Sequence, residues 1–203
     1  MQTKKKELNL DLPLKDLRTA VVLAGGVSQR MGQDKALICD PDGRTWIEKI
    51  VKLAHTWAPR VWVVTGPSLK YQDPLKDKNV ELICDDVPNL GPLGGIATAL
   101  TKTMSSHVLF LSCDMPDVSV EDLNKLPFIS NLEEVVWSYP TYFPFVIKVN
   151  GSVLMKLKQR LEENEKSLGK FLKLLTGRSI CFKNMERTLN LNSSQDLALR
   201  HEN

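Results

Sequence analysis

The stretch Thr19-Ala-Val-Val-Leu-Ala-Gly-Gly-Val-Ser-Gln-Arg-Met-Gly-Gln-Asp-Lys35 decides how this chain is read. It starts as a short apolar run, Thr19 to Leu23, which suits a strand buried on both faces. The run breaks at Gly25-Gly26, a strand feeding directly into a loop. The loop then carries cations at Arg30 and Lys35. Glycines let a backbone approach an anion and present N–H donors to it, and the cations add charge of the right sign. The spacing is neither G-x-x-x-x-G-K-[ST] nor G-x-G-x-x-G, so neither of those phosphate-binding loops applies.

Moving outward, strand-like and helix-like segments alternate. Trp46, Ile47, Ile50, Val51, Ala54 and Trp57 recur at helical spacing, which predicts a helix over 45–57, ended by Pro59. Val61–Val64, Val80–Cys84 and Val108–Cys113 read as further strands. Between the last two, Gly91-Pro-Leu-Gly-Gly95 reads as a turn, with a helix from Ile96. Ser119-Val-Glu-Asp122 has the form of a capping box. Glu134–Ser138 and Phe145–Val149 read as two strands, with turn chemistry at Pro140 and Pro144 between them. Two helices follow, one after Gly151 and one that stops at Gly177. Ser179–Phe182 and Leu189–Leu191 are short strand candidates, and Ser193-Ser-Gln-Asp196 opens a last helix. Alternation of this kind implies right-handed βαβ units. The expected fold is α/β, a single Rossmann-like three-layer domain over 18–203 with a mainly parallel, partly mixed sheet, preceded by an extension over 1–17.

Composition narrows the class. A hydrophobic fraction of 42% with 25% charged residues is that of an ordinary globular chain rather than a disordered one. No apolar run approaches the roughly 18 residues of a membrane helix. The polar, basic start Met1–Lys6 is followed by no apolar run of signal-peptide type, so a cytoplasmic protein is expected. A net charge of +3 is too mild to point to nucleic acid and suits small anionic substrates. Cys39, Cys84, Cys113 and Cys181 form no C-x-x-C pair, which argues against a zinc site or a disulfide framework. Cys84 and Cys113 read as small buried strand residues.

Ligands of open α/β sheets bind beyond the carboxyl ends of the strands. Gly25 and Gly26 follow the first strand, Asp85 the third, and Asp114 the fourth. Each has a plain alternative as turn chemistry, but together they outline one cleft. The histidines, His55, His107 and His201, lie apart and make no nucleophile–base set.

The loop Leu23-Ala-Gly-Gly-x-Ser-x-Arg30-Met-Gly-x-Asp-Lys35 resembles the signature of the molybdenum cofactor guanylyltransferases, within the nucleotide-diphospho-sugar transferase-like superfamily. Further stretches match in order: Asp85-Asp-x-Pro88 with Gly91-Pro-Leu-Gly-Gly95, then Cys113-Asp-Met-Pro116, and finally Asn190-Leu-Asn192 with Gln195-Asp-Leu197. The resemblance spans about residues 19–198.

The resemblance implies transfer of GMP from GTP to the phosphate of molybdenum-molybdopterin, with Mg²⁺ as cofactor and pyrophosphate as leaving group. It implies Arg30, Lys35 and Asp114 as catalytic residues and Asp114 as the metal ligand. Leu23, Ala24, Gly25, Gly26, Lys35, Thr65, Asp85, Gly91, Gly95 and Asp114 are the implied nucleotide-binding positions, and Asn190 and Asn192 would meet the acceptor. Gly25, where related cytidylyltransferases usually carry Ala, favours GTP over CTP. Transient contact with cofactor-handling proteins is expected, and none with nucleic acid or membrane. Phe143-Pro144 departs from the His-Pro pair common in the family, in the region expected to receive the pterin beside the aromatic run Tyr139–Tyr142. The basic residues Lys156, Lys158, Arg160 and Lys166 read as a solvated helix face. A sugar or polyol phosphate acceptor, CTP as donor, and a nucleotide-binding protein without turnover are the alternatives.

Overall fold

A computed structural model describes residues 18–24, 34–66, 71–87, 90–126 and 129–182. In chain order these form β1 (Arg18–Leu23), α1 (Trp46–Trp57), β2 (Arg60–Thr65), β3 (Glu81–Cys84), α2 (Pro92–Lys102), β4 (His107–Ser112), α3 (Val120–Asn124), β5 (Val135–Tyr139), β6 (Tyr142–Lys148), α4 (Gly151–Glu162), α5 (Leu168–Leu174) and β7 (Gly177–Cys181). The expected extension 1–17, strand 189–191 and C-terminal helix lie outside the described residues.

The seven strands form one sheet in the order β3-β2-β1-β4-β6-β5-β7. β1 to β4 run parallel, β6 is antiparallel to both of its neighbours, and β7 is parallel to β5. The crossover β1-α1-β2 advances one way along the sheet, whereas β3-α2-β4 returns past β2 and β1. Right-handed crossovers running in opposite directions put their helices on opposite faces. Accordingly α1 packs with α3, and α2 packs with α4, which in turn meets α5. Strands covered on both faces need continuous apolar runs, and Ala20 to Val22 and Val108 to Phe110 are fully buried. The sheet is therefore mainly parallel and partly mixed, the fold class expected from the sequence.

The capping box read at Ser119 is present, and a second one, not read from the sequence, starts α1. Thr45 caps α1 and Ser119 caps α3, each in a complete capping box, with Glu48 and Asp122 respectively.

Four readings need correction. First, the glycine turn is only Gly91, at φ +56°. Pro92 stands at the first helical position, so Gly94 and Gly95 belong to α2. Second, Pro144 lies inside β6 rather than in the turn. The ladder to β4 reaches only Phe145, and the register to β5 jumps from Trp137↔Phe145 to Ser138↔Tyr142, so Pro144 sits at a bulge where no ladder N–H is needed. Third, Gly177 opens β7 instead of merely ending α5. It pairs with Val135, and a Cβ there would run into the Val135 carbonyl. Fourth, Cys84 is exposed at the end of edge strand β3, and Cys113 is half-buried.

Candidate nucleotide site

The strand order reverses between β1 and β4, both of which end at the same side of the sheet, Leu23 opposite Ser112. Such a reversal leaves a crevice beyond the carboxyl ends of the strands. The backbone is held one step past those ends. The Ala24 N–H donates to the Val64 carbonyl at 2.9 Å, that of Cys113 to Leu23 at 3.3 Å, and that of Asp85 to Thr65 at 2.9 Å.

On the β1 side, the chain re-enters the described residues at Asp34. Its side chain accepts from the Ala36 N–H at 3.1 Å, capping a short 3-10 turn over Lys35–Leu37. Asp34 also accepts from the hydroxyl of Tyr71 at 2.9 Å, and the same hydroxyl lies 2.8 Å from the Ala24 carbonyl.

On the β4 side, Met115 is buried and pins the turn, while Asp114 is half-buried. One Asp114 carboxylate oxygen accepts from the Ser112 hydroxyl at 2.5 Å. Between the two sides, the Cys113 thiol is pushed up to about 12. Burial does most of this, helped by the negative charges of Asp114 and Asp34 and opposed by Lys35. Cys113 is thus a neutral thiol at working pH, neither nucleophile nor thiolate ligand. The charges of Asp34, Lys35 and Asp114 all act on this one thiol.

Those groups set what the site can hold. Among the described residues no three His, Cys, Asp or Glu side chains gather as a metal cage. A lone carboxylate such as Asp114 fits Mg²⁺, which is commonly held by one or two carboxylates together with phosphate oxygens and waters.

The neighbouring strand ends carry the remaining positions. Thr65 is buried, and its hydroxyl donates to the Gly66 carbonyl at 2.8 Å. One Asp85 oxygen accepts from the Val87 N–H at 2.9 Å and from the Thr98 hydroxyl at 3.2 Å, tying the exit of β3 to α2. Gly91 is exposed at the start of α2. Gly95 faces the sheet: a Cβ there would stand 3.0 Å from Leu23 Cδ2 and 3.2 Å from Val64 Cγ1. So Leu23, Ala24 and Asp114 stand at the ends of β1 and β4, with the Lys35 turn tied to them through Asp34 and Tyr71; Thr65 and Asp85 stand at the ends of β2 and β3, Gly91 at the start of α2, and Gly95 packs beneath. Gly25, Gly26, Arg30, Asn190 and Asn192 lie outside the described residues.

Sequence reasoning missed Tyr71, whose flanking segment carries no periodic pattern, and Ser112, which hid inside an apolar strand. Asp34 was visible in the loop motif but had no assigned role. On the far side, Phe143 is a core residue, its ring centroid 5.1 Å from that of Phe145. Tyr139 at the hairpin tip is exposed. The basic stripe on α4 is paired locally: Lys156 with Glu134 at 2.7 Å, Arg160 with Glu163 at 2.8 Å, Lys158 with Glu162 at 3.8 Å. No helix among the described residues is long and apolar enough to cross a membrane.

Known proteins share this architecture and sequence. Residues 20–174 match the family described as MobA-like NTP transferase domain. A probable molybdenum cofactor guanylyltransferase of Methanothermobacter thermautotrophicus is 30% identical, over 92% of this chain and 100% of that protein. The molybdenum cofactor guanylyltransferase of Haemophilus influenzae is 30% identical over 88% of this chain and 95% of that one. The crystal structure of molybdopterin-guanine dinucleotide biosynthesis protein A from Archaeoglobus fulgidus superposes with a TM-score of 0.72 at 21% identity, covering 91% of this chain and 97% of that chain. A likeness at that identity speaks for the fold, and the sequence matches carry the assignment: this chain belongs to the MobA-like NTP transferase family.

Proposed function

We propose that the protein transfers GMP from GTP to the phosphate of molybdenum-molybdopterin, releasing pyrophosphate and forming molybdopterin guanine dinucleotide. The observation that supports this reading is Asp114 just past the end of β4, where the strand order reverses, with the Lys35 turn tied to the end of β1 through Asp34 and Tyr71. The relatives named as molybdenum cofactor guanylyltransferases, matched over nearly their full length, supply the identity of donor and acceptor.

An oxygen of the acceptor phosphate attacks the α-phosphorus of GTP, and the bond from that phosphorus to the β-phosphate oxygen breaks. The nucleophile is already anionic, so no general base is needed, and the barrier lies in bringing anions together. Positioning and charge neutralisation lower it. Mg²⁺, when bound, neutralises the charge on the triphosphate and the departing pyrophosphate. Asp114 is the carboxylate that would hold it, with Ser112 keeping that carboxylate in place. Lys35, and Arg30 of the same signature, supply cations to the phosphates. Asp85, Thr65 and Gly91 lie where the nucleoside would extend along β2 and β3. Asn190 and Asn192, by the resemblance of their motif, would meet the acceptor, and the exposed hairpin tip at Tyr139 is a rim from which it could come.

The test is pyrophosphate release from GTP with Mg²⁺ and molybdenum-molybdopterin. Wild-type protein should be active, and Asp114→Ala inactive. Turnover with CTP alone would overturn the guanylyl assignment. Turnover with a sugar or polyol phosphate in place of the pterin would overturn the acceptor. GTP binding without pyrophosphate release would make the chain a binding protein.

A further inference from the structure

Tyr71 is fully buried, yet its hydroxyl is the meeting point of two chain segments far from it in sequence. Its oxygen lies 2.8 Å from the Ala24 carbonyl, just past the end of β1. It lies 2.9 Å from an Asp34 carboxylate oxygen, and the other oxygen of Asp34 caps the turn that begins at Lys35. A phenylalanine would fill the same volume. Burying a hydroxyl costs free energy unless it is bonded, so the extra oxygen must be explained by the two groups it reaches. A phenol has one proton and here faces two acceptors. Burial, then the Asp34 carboxylate, holds that proton on the oxygen by raising the phenol far above its ordinary value, so the group is a donor at any working pH.

The consequence is geometric. Ala24 is fixed to β2 through the Val64 carbonyl, and Leu23 to Cys113 through the Leu23 carbonyl. The end of β1 is therefore a rigid reference for Asp114. The Lys35 turn has a different attachment to that reference, the phenol of Tyr71. We propose that Tyr71 is a positioning residue for nucleotidyl transfer: its hydroxyl sets where Lys35 stands relative to Asp114. This rests on the nucleotidyltransferase reading above. Tyr71 touches no reacting atom in this scheme and acts through Asp34.

Tyr71→Phe keeps the ring and removes the bridge. Losing a hydrogen bond to a charged group corresponds to a factor of about 10–100, and a misplaced cation acts on the transition state, so kcat should fall by that range. KM for GTP should change less. Exchange of the Ala36 amide, read by NMR without nucleotide, should quicken, because Asp34 loses one of the partners that orient it as a cap. A packing role alone would lower the melting temperature and leave kcat unchanged well below it.

Asp34→Asn attacks the same bridge from the other side. In that background Tyr71→Phe should lower kcat less than it does alone, because coupled residues are not additive. Wild-type kcat in Tyr71→Phe, unaltered Ala36 exchange, or full additivity with Asp34→Asn would each overturn the proposal. Absence of wild-type turnover with GTP would instead overturn the reading on which it rests.

Discussion

Gly94 offers a test in which two general rules give opposite signs. In a helix interior Gly→Ala is ordinarily stabilising by about 1 kcal/mol, because alanine loses less backbone entropy. Here a Cβ at position 94 would stand 2.7 Å and 3.1 Å from the two carboxylate oxygens of Asp85, and nearer still to the Val87 carbonyl. The carboxylate cannot simply swing away, since it is held by the Val87 N–H at 2.9 Å and the Thr98 hydroxyl at 3.2 Å. Either α2 moves off the turn or those bonds break. Overpacking costs about 1–3 kcal/mol, and losing a hydrogen bond to a charged group adds about 1.5–3 kcal/mol. The clash outweighs the propensity gain, leaving Gly94→Ala less stable by about 1.5–5 kcal/mol. Urea unfolding followed by tryptophan fluorescence measures this. Gly151→Ala is the control, because a Cβ there meets nothing within 4 Å and should be neutral or mildly stabilising. A Gly94→Ala protein as stable as wild type would refute the close packing of α2 on the Asp85 turn. It would also weaken the case that Asp85 is held in a fixed place for a ligand.

Asp114→Asn keeps the size and the bond from Ser112 but removes the charge. Pyrophosphate release should fall by a factor on the order of 10²–10³, as when a single electrostatic contact to a transition state is lost, with the melting temperature near wild type; an active Asn variant would remove Asp114 from the mechanism. Glu134 bears on pH. Burial works against its charge but is outweighed by Lys156, the Thr176 N–H and Ser152, so its folded pKa lies below the ordinary 4.5. A depressed carboxylate contributes stability above that unfolded value and loses it as pH falls through the folded one. Glu134→Gln should therefore melt lower at neutral pH and show a shallower drop in melting temperature on acidification below about pH 4.5; parallel curves would contradict this. Gly177→Ala should lower stability by several kilocalories, because the new Cβ meets the Val135 carbonyl and stands 2.9 Å from Val135 Cγ1; circular dichroism melts read the change, and an unchanged melt would refute the tight β5/β7 pairing.

The parts of this structure that local chemistry determines could be read from the sequence. The capped helix start at Ser119 is of this kind, as are the continuous apolar strands β1 and β4. The strand-end placement of Asp85 and Asp114 follows from the same alternation. Tertiary context decided the rest. Gly94 and Gly95 look like turn residues, but they are small because one meets a carboxylate turn and the other two strand side chains. Pro144 looks like a turn residue because nothing local reveals that β6 bulges there against β5. Tyr71 had no pattern at all, since its role depends on two acceptors 47 and 37 residues away along the chain.

The reversed direction of β6 has a further consequence. Because β6 runs against β4 and β5, the hairpin that joins β5 to β6 opens on the same rim as the carboxyl ends of β1 to β4. Its tip is two residues, Pro140 and Thr141, with Tyr142 held at φ +71° to close it. Lengthening such a tip costs little, since closure entropy grows slowly with loop size, and the strand pairing on either side is set by buried side chains such as Phe145. The parallel half has no such freedom, since its strand ends are locked to one another through Ala24, Cys113 and Asp85. One side of the cleft is thus open to insertion and grafting while the other must be inherited intact. That makes the 139–142 tip the place to splice foreign sequence when a different molecule is to be admitted.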